Sequence, residues 1–319
     1  MVIHIIFIIA GLAILIVGGE FLVKGAVSVA AKAKLSTLVI GMTVVSFGTS
    51  APELFVSLKA AYLDSPEFAI GNIVGSNIAN LALVLGLTVI IFPMPVKRNS
   101  ILFDWPMMMI SGLLFWLFSR NLLLERWEGF VLFFLLIAFI YFLISSSRRK
   151  IKNQKTLEPD ALSDVSKKSV KKTKWWVTSF QLVAGFLGLY LGARWLIDGA
   201  IGVGEELSIS KHVMAITVLA FGTSVPELVT SVVAAYRKQM DISVGNLIGS
   251  NIFNIMAVLG ITAIVQPIPV EKNVLQFDMW WMLAVFLVIL PMMVISRKIG
   301  RISGVILLSS YILYIYLLF

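Results

Sequence analysis

The 319-residue sequence contains no cysteine and only two histidines, His4 and His212. Disulfides and thiolate metal sites are therefore excluded, and two imidazoles are too few for a histidine-based metal centre. Charge is scarce: Asp, Glu, Lys and Arg make up 13% of the chain, with only 17 acids. No G-x-x-x-x-G-K-[ST] run occurs, so the phosphate loop of ATP-driven machines is missing. The N-terminus, MVIHIIFIIAGLAILIVGGE, lacks a basic leader region and a convincing cleavage site, and reads as a retained first helix.

What is present is apolar. Hydrophobic residues reach 59% and the mean hydropathy is +0.96, more than a soluble domain of this length can bury. The net charge of +9 does not point to nucleic acid, because the basic residues gather in one loop and at span ends, the pattern that orients a chain in a lipid bilayer. A crossing needs about 20 apolar residues. Ten stretches qualify: 3–30, 37–62, 68–92, 101–119, 127–147, 175–203, 211–236, 242–266, 275–296 and 302–318. The expected fold is an all-α membrane protein of ten transmembrane helices in two groups of five, 1–147 and 175–319. Between them, 148–174 is a polar linker with ten of the 26 Lys and Arg and three acids. Such a segment belongs in the cytoplasm. Alternation then places Lys32, Lys34, Lys97, Arg98, Arg237, Lys238, Arg297, Lys298 and Arg301 inside, 19 basic residues with the linker's ten. Arg120, Arg126, Lys211, Lys272 and the loop acids Asp64, Glu67, Glu205 and Glu206 fall outside, with both termini of this multi-pass chain.

The two groups repeat one message. Residues 41–86 contain GMTVVSFGTSAPELFVSLKAA and GNIVGSNIANLALVLG; residues 215–260 contain AITVLAFGTSVPELVTSVVAA and GNLIGSNIFNIMAVLG. Gly48 matches Gly222, Glu53 matches Glu227 and Asn80 matches Asn254, each 174 positions apart. Five spans is an odd number, so the second copy inserts upside down, as in carriers built from inverted repeats. The matching falls on polar and small residues rather than on packing residues, which argues against simple duplication of a structural unit.

In G-T-S-x-P-E, the prolines Pro52 and Pro226 remove a helical hydrogen bond and free carbonyls near Gly48 and Gly222. Irregular backbone at membrane depth is tolerated where it lines a cavity. Freed carbonyls, the hydroxyls of Thr49, Ser50, Thr223 and Ser224, and the carboxylates of Glu53 and Glu227 form an all-oxygen inventory suited to Ca2+ or a similar hard cation. A carboxylate inside a span is costly and marks function by default, and no Lys or Arg sits at matching depth to neutralise either. In G-N-x-x-G-S-N-x-x-N, Ser76 and Asn80, like Ser250 and Asn254, lie four residues apart on one helix face. The glycines allow close helix approach. Asn72, Asn77, Asn246 and Asn251 read either as further ligands or as ties between helices.

Other features carry less. Asp104 and Asp278 also match at 174 and read as helix caps or interfacial residues. Glu20 corresponds to Arg194 and Lys24 to Asp198, near span ends, as surface or interfacial pairs. Met107–Met109 and the Trp pairs 175–176 and 280–281 fit lipid packing and the aromatic belt.

These residues resemble the cation/calcium antiporter superfamily in its sodium/calcium exchanger branch, whose alpha repeats the two segments match across the whole chain. The resemblance implies a transporter without a cofactor, not an enzyme, carrying Ca2+ and Na+. It implies a central core of the four alpha-repeat helices past which the long first and sixth helices slide. It also implies a ligand set: Glu53, Glu227, Thr49, Ser50, Thr223, Ser224, Ser76, Asn80, Ser250 and Asn254, with the backbone carbonyls of Ser46 and Ala220. Asn254 departs from relatives that carry Asp there, leaving two core acids and speaking against K+ dependence. The cation/proton branch typically has G-N-x-x-E where this chain has G-T-S-x-P-E, which makes H+ exchange the second reading. The linker is too short for the calcium-sensing domains of animal exchangers. A cation channel is the rival from another class.

Overall fold

A computed structural model describes residues 2–62, 67–157, 173–207 and 220–318. The chain forms α1 (Val2–Ala33), α2 (Thr37–Thr49 continuing as Ala51–Tyr62), α3 (Ala69–Ile91), α4 (Ser100–Asn121), α5 (Arg126–Leu157), α6 (Trp175–Glu206), α7 (Ala220–Tyr236), α8 (Met240–Val265), α9 (Val274–Ile295) and α10 (Arg301–Leu318). Eight are singly long and apolar enough to cross a membrane. The two halves of α2 qualify together across a 42° bend, and α7 is described over 17 residues. The first nine residues expected in the seventh span, Lys211 and His212 among them, lie outside the described residues, as do Asp64 and 158–172 of the linker. The fifth helix continues to Leu157, ten residues into the expected linker.

Burial sorts the helices into layers. Across their most apolar windows, 83% of α3 and α8 is buried, against 22% of α1, α5 and α6. α3 and α8 therefore form the middle of the bundle, and the outer helices turn residues such as Ile9, Phe134 and Ile312 outward, as lipid contact requires. Met108 is an exception to the lipid-packing expectation: it is fully buried in the main apolar core.

Pairwise exchange of contacts reveals the inverted symmetry. Two short antiparallel bridges join turns of opposite halves: Met94–Pro95 (β1) pairs with Lys298–Ile299 (β4), and Leu123–Leu124 (β2) with Ile268–Pro269 (β3). β1 and β3 are matched repeat positions, and so are β2 and β4, with the offset rising from 174 to 175 beyond α4. Gly86 and Gly304 abut, as do Gly129 and Gly260. Arg301 donates to the Ile90 carbonyl at the end of α3 (3.0 Å), and its counterpart Arg126 donates to the Val265 carbonyl at the end of α8 (3.3 Å). Cationic donors at helix C-termini satisfy carbonyls left without intrahelical partners.

α1 and α6, each 32 residues, run side by side on a stripe of small residues. Gly11 faces Gly192, Gly18 faces Gly185 and Gly188, and Gly199 faces the His4 carbonyl. Small residues at such contacts let two backbones approach where no hydrophobic force separates protein from lipid. The pair is also tied at its ends. Lys32 donates to Thr178 (2.5 Å) and lies 4.7 Å above the Trp175 ring; His4 and Glu206 lie 3.4 Å apart. A Cβ on Gly192 would sit 2.8 Å from backbone atoms of Gly11 and Leu15. Gly192→Ala should therefore lower stability by about 1–3 kcal/mol. Gly300→Ala, where a Cβ meets nothing within 4 Å, should stay within about 0.5 kcal/mol. Thermal unfolding in detergent compares the two, and equal midpoints would contradict this packing.

Candidate functional site

The polar residues of both repeats converge where α2, α3, α7 and α8 meet. Each acid-bearing helix packs on the asparagine-bearing helix of the other repeat: α7 on Ala79–Leu85, and Ala51–Tyr62 on Asn254–Leu259. Those two segments of α3 and α8 are wide π-turns. Such turns release the regular hydrogen-bond ladder and recur at functional sites. Asn80 and Asn254 stand at their starts. α2 carries another π-turn at Gly41–Val45 and breaks at Ser50, next to Pro52. α7 is helical from Ala220 through Pro226.

Close approach depends on glycine. A Cβ on Gly245 would lie 2.6 Å from the Leu38 carbonyl, and one on Gly249 2.3 Å from the Ser46 hydroxyl. The α2–α8 contact is thereby close enough for direct bonds. The Thr49 hydroxyl lies 3.1 Å from Asn246 Oδ1 and 3.3 Å from the Ser250 hydroxyl. The Ser46 hydroxyl lies 2.9 Å from the Gly41 carbonyl and 3.1 Å from that of Asn246. Across α2 and α7, Ser50 reaches Glu227 Oε1 at 3.4 Å.

Glu53, Glu227, Thr49, Ser46, Asn80, Ser250 and Asn254 are fully buried, and Ser50, Ser76 and Ser224 nearly so. Thr223 is half-buried, and Ala220 is the first described residue of α7. The Ser46 carbonyl accepts from the Ser50 amide (2.9 Å) and from the Thr49 hydroxyl (3.4 Å). Several buried atoms have no protein hydrogen-bond partner: both oxygens of Glu53, Oε2 of Glu227, the side-chain amides of Asn80 and Asn254, and the Ser224 hydroxyl. Among the described residues neither glutamate has an ion-pair partner. Buried polar atoms left without partners each cost of order 1–3 kcal/mol, more when charged. A polar ligand that supplies positive charge and accepts many oxygens removes that cost. The donor set contains no sulfur or imidazole, which fits a hard cation.

Two matched positions escaped notice in the sequence. Ser57 and Ser231, one turn beyond the glutamates, accept from Asn72 (3.4 Å) and Asn246 (3.2 Å) and tie the two helices of each repeat. Their identity at the 174 offset was the available signal. Asn77 and Asn251 turn elsewhere, toward the Met282 sulfur and the Leu247 carbonyl. Asp104 and Asp278 do not cap: each closes a π-turn without a capping bond, and Asp278 accepts from Tyr314 (2.9 Å).

A family model described as sodium/calcium exchanger protein matches residues 3–145 and 178–319, nearly all of both halves. The chain belongs to the sodium/calcium exchanger family. It is 35% identical over 330 aligned residues to the putative antiporter CaxA of Alkalimonas amylolytica, covering 100% of this chain and 99% of that one. It is 31% identical to the sodium/calcium exchanger MaX1 of Methanosarcina acetivorans, covering 99% of each. Among solved structures, the sodium-calcium exchanger NCX_Mj soaked with zero Na+ and Ca2+ matches with a TM-score of 0.84 at 31% identity over 100% of both chains. The family is one of membrane exchangers.

Proposed function

We propose that the protein is a secondary antiporter that exchanges Na+ for Ca2+ by alternating access, with the Na+ gradient driving Ca2+ out of the cell. The observation that carries this reading is the buried pair Glu53 and Glu227, which lack a cationic partner among the described residues and stand amid oxygen donors. Two charged carboxylates buried near one another repel strongly, because the effective dielectric around them is far below that of water. An ion-free site carrying both charges is therefore hard to move across the low-dielectric barrier. One Ca2+, or several Na+, offsets the charge, and only the loaded forms cross readily. That restriction couples the two fluxes.

In this reading Glu53 and Glu227 are the central ligands. Thr49, Ser50, Ser76, Asn80, Thr223, Ser224, Ser250 and Asn254 complete the set with the carbonyls of Ser46 and Ala220. The two functional units are 1–147 and 175–319, joined by 148–174. Radiolabelled Ca2+ uptake into Na+-loaded proteoliposomes tests the exchange. Uptake should vanish without internal Na+, whereas a channel passes Ca2+ regardless. Glu53→Gln and Glu227→Gln each keep size but remove charge, and each should weaken Ca2+ affinity at least about tenfold, since a bond to a charged group is worth about 1.5–3 kcal/mol. Wild-type exchange in a folded double variant would remove the glutamates from the site.

Asn254 sets the charge count. With two acids, one Ca2+ brings the site to neutrality, while a third Na+ leaves it at +1. Transport should therefore proceed without K+ and move net charge, responding to voltage by about 2.3 kcal/mol per charge per 100 mV. Flux at clamped potential, with and without K+, decides: strict K+ dependence or electroneutral exchange refutes this count. An acid gradient in place of Na+ tests the H+ alternative. Asn254→Asp should alter both the monovalent requirement and the voltage dependence.

The orientation follows from the 19 basic residues assigned inside. In this cysteine-free chain, Ser166→Cys should react with an impermeant thiol reagent only from the cytoplasmic side. Labelling from outside intact cells would invert the topology.

A further inference from the structure

Asp104 and Asp278 hold matched positions in the two repeats, and neither belongs to the proposed ion site. Their surroundings differ. In the second repeat Asp278 accepts from the Tyr314 hydroxyl (2.9 Å), and the Tyr314 ring stacks on Phe277 with centroids 6.2 Å apart. A phenol thus fills the space beside that acid. At the 175 offset that relates α5 to α10, Tyr314 corresponds to Phe139, which packs in the main apolar core and brings no hydroxyl. Asp104, only 1% exposed, lines a cavity of ≈ 310 Å³ instead. Small-molecule sites span about 300–1,000 Å³.

The cavity lies where α2 and α4 begin and α5 nears the linker. One side of it is apolar: Phe103 and Phe142, each 43% exposed, line it with their rings 5.4 Å apart. The other side is polar, with Asn99, Ser146, Ser147 and Lys97 beside Asp104. Ser147 is buried and accepts from the Ser36 amide (2.9 Å), which holds α5 against the start of α2. Lys97 donates to Asp241 at the start of α8 (2.5 Å), and its ammonium retains two further N–H groups. Exposed Arg98, Arg148 and Arg149 flank these residues in the chain. Lys97 corresponds to Glu271 in the second repeat, so the cation at this rim is not part of the shared pattern.

An apolar mouth, a basic rim and a buried acid together fit one class of membrane molecule. Basic pockets between helices at the membrane surface attract lipid phosphate. A buried carboxylate disfavours a purely anionic headgroup and favours one that also carries positive charge. We propose that this cavity binds a phospholipid with a primary ammonium headgroup, of which phosphatidylethanolamine is the simplest. Lys97 and Arg98 meet the phosphate. The ammonium donates to Asp104, with Asn99 and Ser146 as further acceptors, and an acyl chain lies along Phe103 and Phe142. The ammonium thereby takes the place at Asp104 that the Tyr314 hydroxyl holds at Asp278. A quaternary ammonium has no N–H to donate and is rejected. The site does not depend on which ions the protein carries.

Native mass spectrometry of the full chain tests this, with equimolar phosphatidylethanolamine, phosphatidylcholine and phosphatidylglycerol of identical acyl chains. The wild type should retain phosphatidylethanolamine about tenfold over either competitor, the ratio expected of one hydrogen bond to a charged group. Asp104→Asn should bring phosphatidylethanolamine down to the level of phosphatidylcholine. Phe139→Tyr should do the same, by giving Asp104 the hydroxyl that Asp278 already has, and serves where Asp104→Asn does not fold. Asp278→Asn should leave the preference unchanged. Thermal midpoints in detergent identify the folded variants. Glycerophosphoethanolamine, the headgroup without its chains, and inorganic phosphate should not displace the lipid; displacement by either would make this a site for a soluble ligand. Equal retention of phosphatidylethanolamine and phosphatidylcholine, a preference for phosphatidylglycerol, or a preference that survives in either folded variant would overturn the assignment.

Discussion

Two carboxylates buried in a membrane protein, with no cationic side chain against them among the described residues, set the terms for the rest of this structure. A Lys or Arg partner would have made a stable and inert pair. Without one, three of the four carboxylate oxygens of Glu53 and Glu227 are buried with no protein hydrogen-bond partner. The groups around them are rich in oxygen. Hydroxyls and carboxamides supply oxygen, the π-turns at Asn80 and Asn254 release backbone order, and Gly245 and Gly249 draw α8 close enough to α2 for Thr49 to reach Asn246 and Ser250.

The inner and the outer helices are bonded differently. The four central helices are cross-tied within and between repeats: Asn72 to Ser57, Asn246 to Ser231, Thr49 to Ser250. α1 and α6 are tied chiefly to each other, through glycines along their length and polar contacts at their ends. Their contact with the core is mostly apolar, with Gly19 against two valines, Phe186 against Gly48 and Ile197 against Gly222, and it includes the ion pair of Arg237 with Glu20.

Repeat symmetry and its violations carry different information. The reciprocal bridges β1–β4 and β2–β3, and the reciprocal arginine contacts to the ends of α3 and α8, obey the symmetry. The close packing of α1 on α7 departs from it.

Much of the fold and of the candidate site was legible in the sequence because membrane burial leaves few ways to hide a polar residue. Spans follow from hydrophobic length alone, and inversion from an odd number of spans per repeat. Glu53, Glu227, Asn80 and Asn254 stand out as matched polar residues in apolar runs. Three-dimensional placement was needed for everything that depends on which faces meet. Ser57 and Ser231 look like ordinary small residues until α3 and α8 bring asparagines to them. The π-turns leave no mark in a periodicity read at 3.6 residues per turn. Arg237 reads as one more basic residue at a span end, and only the packing of α1 on α7 brings Glu20 to it. Local sequence specifies what each helix can bury, whereas pairing between distant helices is a property of their packing.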